Sequence, residues 1–300
     1  MAVTPPRILS APRVVCDVRA TLGEGLCWSP SAQALWWVDI LEHRLYRDAL
    51  AGAHDAWSFD ETISAVAERA NGAGLAVTLR RGLALFDPAS RALERLDEPE
   101  REREGNRFND GKCDAQGRFW GGTMDFAVRE ATGALYRFDA AGRAERAIDL
   151  GWIVTNGPTW SQDGRTMLVN DTVHRRIVAY AFDPATGAVG ASREWLALAP
   201  ADGHPDGMTT DAAGRIWIAH WGGACVTCHD PVTAAELARI ALPTDHITNV
   251  AFGGPDMTTL FISSARFELT DAQLAAQPLA GALFAVETDA LGLPANLFAG

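Results

Sequence analysis

Four short stretches set a carboxylate or an amide among glycines and apolar residues: Leu22-Gly23-Glu24-Gly25, Arg107-Phe108-Asn109-Asp110-Gly111, Thr155-Asn156-Gly157-Pro158 and Pro205-Asp206-Gly207. In each, a glycine follows the polar residue at once or one position later. Carboxylates gathered in a partly buried place are costly to ionise without a cation. Two carboxylates and one or more amide oxygens make an all-oxygen donor set, which suits Ca²⁺, Mg²⁺ or Mn²⁺; Zn²⁺ or Fe²⁺ is less typical. Pro205 and Gly207 flank Asp206 with a rigid and a permissive backbone, so its carboxylate is expected at a bend that aims it inward.

That chemistry requires segments far apart in the chain to meet, and internal repeats supply the means. A turn followed by an apolar strand recurs six times, with Trp36, Leu75, Phe119, Met167, Ile216 and Leu260 as landmarks. The steps between them are about 39, 44, 48, 49 and 44 residues, close to the ~40–50 of a four-stranded propeller blade. A second short strand follows most copies and ends in an Asp-containing turn, as in Leu83-Ala84-Leu85-Phe86-Asp87-Pro88. Short strands at regular spacing, with little helical periodicity, predict an all-β protein. The reading is a six-bladed β-propeller, one domain over residues 1–300 with about 14–298 in the propeller. The spare strand Val14-Val15-Cys16-Asp17-Val18 is expected to pair with the last blade and close the ring, since an open ring leaves exposed edges. Thr270 to Gln277 is expected to form a short surface helix, and Glu98 to Gly105 a charged loop.

Counting back from each landmark finds one phase of the repeat occupied by polar residues: Glu24, Asn109, Asn156 and Asp206, with Ser64 and Asn249 in the two remaining blades. Equivalent positions of successive blades are arranged around the propeller axis. These six side chains are therefore expected to ring one mouth of the channel.

Composition narrows the function. A net charge of −12 offers no basic stripe for phosphates, so nucleic acid is not an expected partner. No apolar run approaches the ~18 residues of a membrane span. Met1 to Ala20 carries Pro5, Pro6 and scattered arginines rather than a charged head and an apolar run, and the 5 cysteines form no disulfide framework. Both features lead to an expectation of a cytoplasmic protein. Cys225 and Cys228 spell C-x-x-C, but in a strand positions i and i+3 face opposite sides, which disfavours chelation or a disulfide. The 7 histidines show no metal-ligand spacing; His204 and His220 are those expected to approach the pocket, and Trp221 is expected in its wall. A single lysine, Lys112, stands among 26 basic residues, next to one of the polar stretches.

At these residues the sequence resembles the regucalcin and gluconolactonase (senescence marker protein) family, six-bladed propeller lactonases dependent on a divalent metal. The matching wording is Gly23-Glu24-Gly25, Arg107-Phe108-Asn109-Asp110-Gly111-Lys112, Gly121-Gly122-Thr123-Met124, Asn156-Gly157, Pro205-Asp206-Gly207-Met208, Phe252-Gly253-Gly254 and Ser264-Ala265-Arg266. It runs from about residue 20 to near the end of the chain. The resemblance implies Glu24, Asn156 and Asp206 as ligands of one divalent ion, Arg107 and Asn109 as holders of sugar hydroxyls, and Asp206 as the catalytic acid/base as well. It implies hydrolysis of a sugar lactone, an aldono-1,4- or 1,5-lactone, to the aldonic acid. The position where animal members carry a substrate-contacting Glu aligns with Ala127, and Asp125 or Glu130 is the nearest replacement. Two competing readings are a metal-stabilised propeller that binds a small ligand or a protein without chemistry, and a promiscuous esterase or phosphotriesterase.

Overall fold

The computed structural model describes residues 3–50 and 52–300. Its strands form six four-stranded antiparallel sheets, each running from an inner strand at the axis to an outer strand at the rim. The inner strands are Gly23–Ser29, Ile63–Glu68, Asn106–Cys113, Thr155–Trp160, His204–Thr210 and Ile247–Gly253, one each for blades 1 to 6. All six landmark residues lie on the second strands of their blades. Inner and second strands are buried nearly throughout, because each is covered by a blade on both faces; the second strands read as largely apolar runs. Outer strands such as His54–Ser58 are only partly covered and alternate between exposed and half-buried.

Ring closure follows the expected route. Arg13–Cys16 pairs antiparallel with Leu283–Glu287 and becomes the outermost strand of blade 6. Arg13–Cys16 and the late strand Leu283–Glu287 thus share one sheet, and Leu283–Glu287 is not left as its edge. A short helix, Asp271–Ala276, stands where one was expected, its first turn capped by the Thr270 hydroxyl. No helix is long and apolar enough to cross a membrane among the described residues.

The turns have a chemical reason that repeats. Asp114 accepts from the backbone N–H of Gln116 and Arg118 through one oxygen, and through the other from Arg118 Nε at 2.6 Å and Trp120 Nε1 at 2.8 Å. Asp211 does the same with Ala213, Arg215 and Trp217. One carboxylate therefore shapes the turn, neutralises the arginine and satisfies a buried indole at the start of a second strand. The charged loop also hides an anchor: Glu100 is buried and accepts from Tyr136 Oη at 2.6 Å and Asn106 Nδ2 at 2.8 Å.

The two channel mouths differ. The tail after Leu291 crosses the far one. It bonds to Ala212 and Met257, then to Cys113, Gly117 and Ala70, with Phe298 fully buried. The opposite mouth, where the inner strands begin, opens on the candidate site.

Candidate active site

Each of the six inner strands carries a β-bulge beside its polar residue. The register breaks between Glu24 and Cys27, Ile63 and Ala65, Phe108 and Gly111, Asn156 and Thr159, Pro205 and Met208, and Ile247 and Val250. A bulge bends the strand and re-aims one side chain out of the alternating pattern. Here it turns a residue of a buried strand toward the axis. Gly207 has a second role: a Cβ there would lie 2.5 Å from the Asn249 amide group and 2.8 Å from Asn249 Cα. Its backbone is not in the left-handed region, so glycine is required at this bend for room rather than for conformation.

Glu24, Arg107, Asn109, Asn156 and Asp206 all line one cavity of about 210 Å³ at the open mouth. This is smaller than the ~300–1,000 Å³ typical of pockets for drug-sized ligands, so it matches a small molecule. Its apolar wall includes Met124, Val128, Val154 and Trp221, and Trp221 stacks on His246 with ring centroids 4.0 Å apart. His204 lines the cavity and meets the Thr172 carbonyl through Nδ1 at 2.9 Å. His220 does not reach it, since its two ring nitrogens are held by the Asp202 carbonyl and the Thr227 hydroxyl.

Two of the six expected ring residues depart from the pattern. Ser64 is too short to leave its own blade and bonds to the Thr78 hydroxyl at 2.9 Å. Asn249 faces the cavity on the far side of the axis and donates through Nδ2 to Glu24 Oε2 at 2.8 Å. It positions a site residue and does not line the mouth. Asp125 accepts from the backbone N–H groups of Ala127, Arg129 and Glu130, so its carboxylate is spent on a turn. Neither it nor Glu130 lines the cavity, whereas Glu268 does. Sequence reasoning missed Glu268 because it lies in a loop, outside the phase of the repeat.

A chain of hydrogen bonds fixes the amides. Thr172 donates to the Pro205 carbonyl at 2.9 Å, so its oxygen must accept from Asn156 Nδ2, also at 2.9 Å. This leaves Asn156 Oδ1 as the oxygen turned toward Asn109, whose Nδ2 donates to it at 2.8 Å. Asn109 Oδ1 in turn accepts from Arg107 Nη1 at 2.6 Å. The Arg107 guanidinium also lies over the exposed Phe126 ring, 5.6 Å from its centroid. Arg107, Asn109, Asn156 and Thr172 are therefore one rigid polar run across blades 3 and 4 that ends on the Pro205 carbonyl of blade 5.

The electrostatics along the axis are unbalanced. Three buried carboxylates, Glu24, Asp110 and Asp206, face two cations, the buried Arg107 and the half-buried Lys112. Asp110 accepts from the N–H groups of Gly111 and Gly157, and Lys112 donates to the Met208 carbonyl. Both line the far-side cavity, which locates the only lysine of the chain away from the open mouth. Burial, then the Asp110 charge, pushes the Glu24 carboxyl up to about 8. Burial and the Glu24 charge hold Asp206 well above the ordinary carboxylate range. Burial lowers the Arg107 guanidinium to about 10, so it remains charged near neutrality. A divalent cation between Glu24 and Asp206 would offset both the burial and the mutual repulsion. With the Asn156 amide oxygen, the residues present fit a hard, oxygen-preferring ion.

Comparison with known proteins finds relatives over nearly the whole chain. The family model described as "SMP-30/Gluconolactonase/LRE-like region" matches residues 22–266. A 6-deoxy-6-sulfogluconolactonase of Pseudomonas putida is 37% identical over 290 residues, covering 95% of this chain and 98% of that protein. Pentonolactonase XacC of Haloferax volcanii is 36% identical over 287 residues, covering 93% and 95%. The crystal structure of a calcium-binding protein, regucalcin, from Agrobacterium tumefaciens superposes with a TM-score of 0.90 at 30% identity, covering 99% of each chain.

Proposed function

The chain belongs to the SMP-30/gluconolactonase/LRE-like family, and from that premise and the chemistry of the cavity we propose that it is a metal-dependent lactone hydrolase acting on a sugar lactone. The observation that carries this reading is the meeting, on one small cavity, of two buried carboxylates, an oriented amide oxygen and a guanidinium drawn from four blades. A non-catalytic scaffold needs a cation to pair its carboxylates. It has no need of a fixed arginine and amide beside an open, lactone-sized space.

Glu24, Asn156 and Asp206 would hold the ion. When bound, a divalent ion acts as a Lewis acid that polarises the lactone carbonyl and stabilises the charge developing there. The chain's own residues supply the rest. Asp206, with no side-chain donor among the described residues, is free to take the proton of the attacking water and to return it to the departing ring oxygen. The Arg107 fork and the Asn109 amide orient the ring through its hydroxyls. The wall built by Trp221, Met124 and Val128 excludes bulk water from one side of the ring.

The test is a panel of sugar lactones and aryl esters followed by proton release. Aldono-1,4- and 1,5-lactones should be turned over, and activity should vanish with a chelator and return to differing degrees with Mn²⁺, Zn²⁺, Ca²⁺, Mg²⁺ or Fe²⁺. Asp206→Ala should fold normally and lose more than nine-tenths of turnover. Lactone hydrolysis indifferent to chelation, or retained by the Asp206 variant, would reject the assignment.

A further inference from the structure

At the rim of the molecule, where the ring closes, three side chains from two blades converge: Cys16, Asp48 and His54. Cys16 ends the closing strand Arg13–Cys16 of blade 6. Asp48 and His54 are cross-strand partners on the two outer strands of blade 1, Arg44–Ala49 and His54–Ser58. One ligand atom from each lies within 4.8 Å of the others. We infer that these three side chains form a second metal site, which clasps the closing strand of the propeller to blade 1 and takes Zn²⁺ or a cation of similar softness.

The arrangement is not a nucleophilic triad. In a triad the base meets the nucleophile and the carboxylate through different ring nitrogens. Here His54 Nδ1 faces both partners, with Cys16 Sγ at 3.9 Å and Asp48 Oδ1 at 2.8 Å. Three donors aimed at one point are the geometry of a chelate. Zn²⁺ bound tetrahedrally at ~2.3 Å from sulfur and ~2.0–2.1 Å from nitrogen and oxygen holds its ligands about 3.3–3.6 Å apart. The two observed separations bracket that range, so shifts of about half an ångström would bring both of these pairs to ligand spacing.

The surroundings are also built as metal sites are. Trp37 Nε1 donates to Asp48 Oδ2 at 2.6 Å, fixing the carboxylate and leaving Oδ1 free to turn to the ion. Tyr46 packs against the His54 ring at 5.3 Å and stacks on Trp37 at 4.5 Å, which holds the imidazole in place. A simple Asp–His ion pair accounts for neither the thiol nor this support. The sulfur and nitrogen donors separate this site from the all-oxygen set at the channel mouth and favour a borderline or soft ion. Binding exchanges the thiol proton for the ion: the S–H bond breaks, a sulfur–metal bond forms, and the proton passes to buffer. His54 is exposed and Cys16 half-buried, so ion and water can reach the fourth position.

Co²⁺ titration of the full chain, kept reduced, tests this independently of the proposed lactonase reading. Sulfur-to-Co²⁺ charge-transfer absorption requires a thiolate ligand, which the channel mouth lacks. The expected result is one equivalent of such absorption per chain, present also in Asp206→Ala, bleached by Zn²⁺ and lost in Cys16→Ser. His54→Ala should weaken Co²⁺ binding at this site at least 100-fold. Zn²⁺ should raise the melting temperature of Asp206→Ala more than that of Asp206→Ala/Cys16→Ser. No charge-transfer absorption in the reduced wild-type chain would overturn the inference, as would absorption that persists in Cys16→Ser, since one of Cys27, Cys113, Cys225 or Cys228 would then hold the ion.

Discussion

Replacing Asn249 by alanine tests whether the site is held together from beneath. Asn249 does not line the open cavity, yet its Nδ2 donates to Glu24 Oε2 at 2.8 Å with both residues buried. A hydrogen bond to a charged group contributes about 1.5–3 kcal/mol, and each ~1.4 kcal/mol is tenfold in affinity. Without it the Glu24 carboxylate is free to swing and is ionised at greater cost. Affinity for the divalent ion should therefore fall about 10–100-fold, the range found when outer partners of metal ligands are removed. The variant also strips the Val250 N–H of its acceptor, Asn249 Oδ1 at 2.9 Å. Stability should fall by a further ~1–3 kcal/mol, and urea denaturation measures that separately. Calorimetric titration of folded protein with Mn²⁺ or Ca²⁺ gives the affinity, and lactone turnover at saturating ion gives the catalytic effect. Because Asn249 touches no substrate on this reading, kcat at saturation should stay within about threefold of wild type. An ion affinity within twofold of wild type, in a variant with a native circular-dichroism spectrum, would refute the argument.

Arg107→Lys should raise KM for the lactone about tenfold with a smaller change in kcat, since Nη1 alone meets Phe108 O and Asn109 Oδ1 and an ammonium lacks the other guanidinium N–H donors that would reach the ring hydroxyls; steady-state kinetics decides. Asp211→Ala should destabilise the fold by about 3–5 kcal/mol, because it leaves the buried Arg215 guanidinium and the Trp217 indole without their acceptor, and urea denaturation would show this as a lowered midpoint with normal ion affinity. Burial holds the imidazoles of His220 and His229 below their ordinary value. The unfolded chain therefore binds protons more readily, so the stability from these groups is complete above about pH 6.5 and is lost as the pH falls through their lower folded values. The unfolding free energy from urea denaturation should decline below that pH by up to about 1.4 kcal/mol per unit for each histidine, and His229→Gln should flatten the decline.

Much of this protein is written in local sequence. The Asp-x-x-Gly-Arg-x-Trp turns at Asp114 and Asp211 declare themselves because one carboxylate satisfies neighbours within six residues of it. The six-fold recurrence of a turn and an apolar strand sets the blade count, and blade count together with strand order demands a closing strand. The phase of Glu24, Asn109, Asn156 and Asp206 was legible for the same reason: equivalent positions of a repeat must share a place around the axis.

What the sequence could not decide is where a side chain points once a bulge has broken the alternation. Ser64 and Asn249 hold the phase of Glu24, but one hydroxyl is too short to leave its blade and one amide turns to the far side and clamps Glu24. Asp125 had the right charge near the right motif, and the turn that follows it consumes its oxygens. Cys16, Asp48 and His54 showed no ligand spacing, because ring closure, not chain neighbourhood, brings the first strand against blade 1. Local chemistry determines turns, strands and their number, since its forces act within a few residues. The direction of each side chain and every meeting across the ring are settled by packing, which exists only after the six blades have closed.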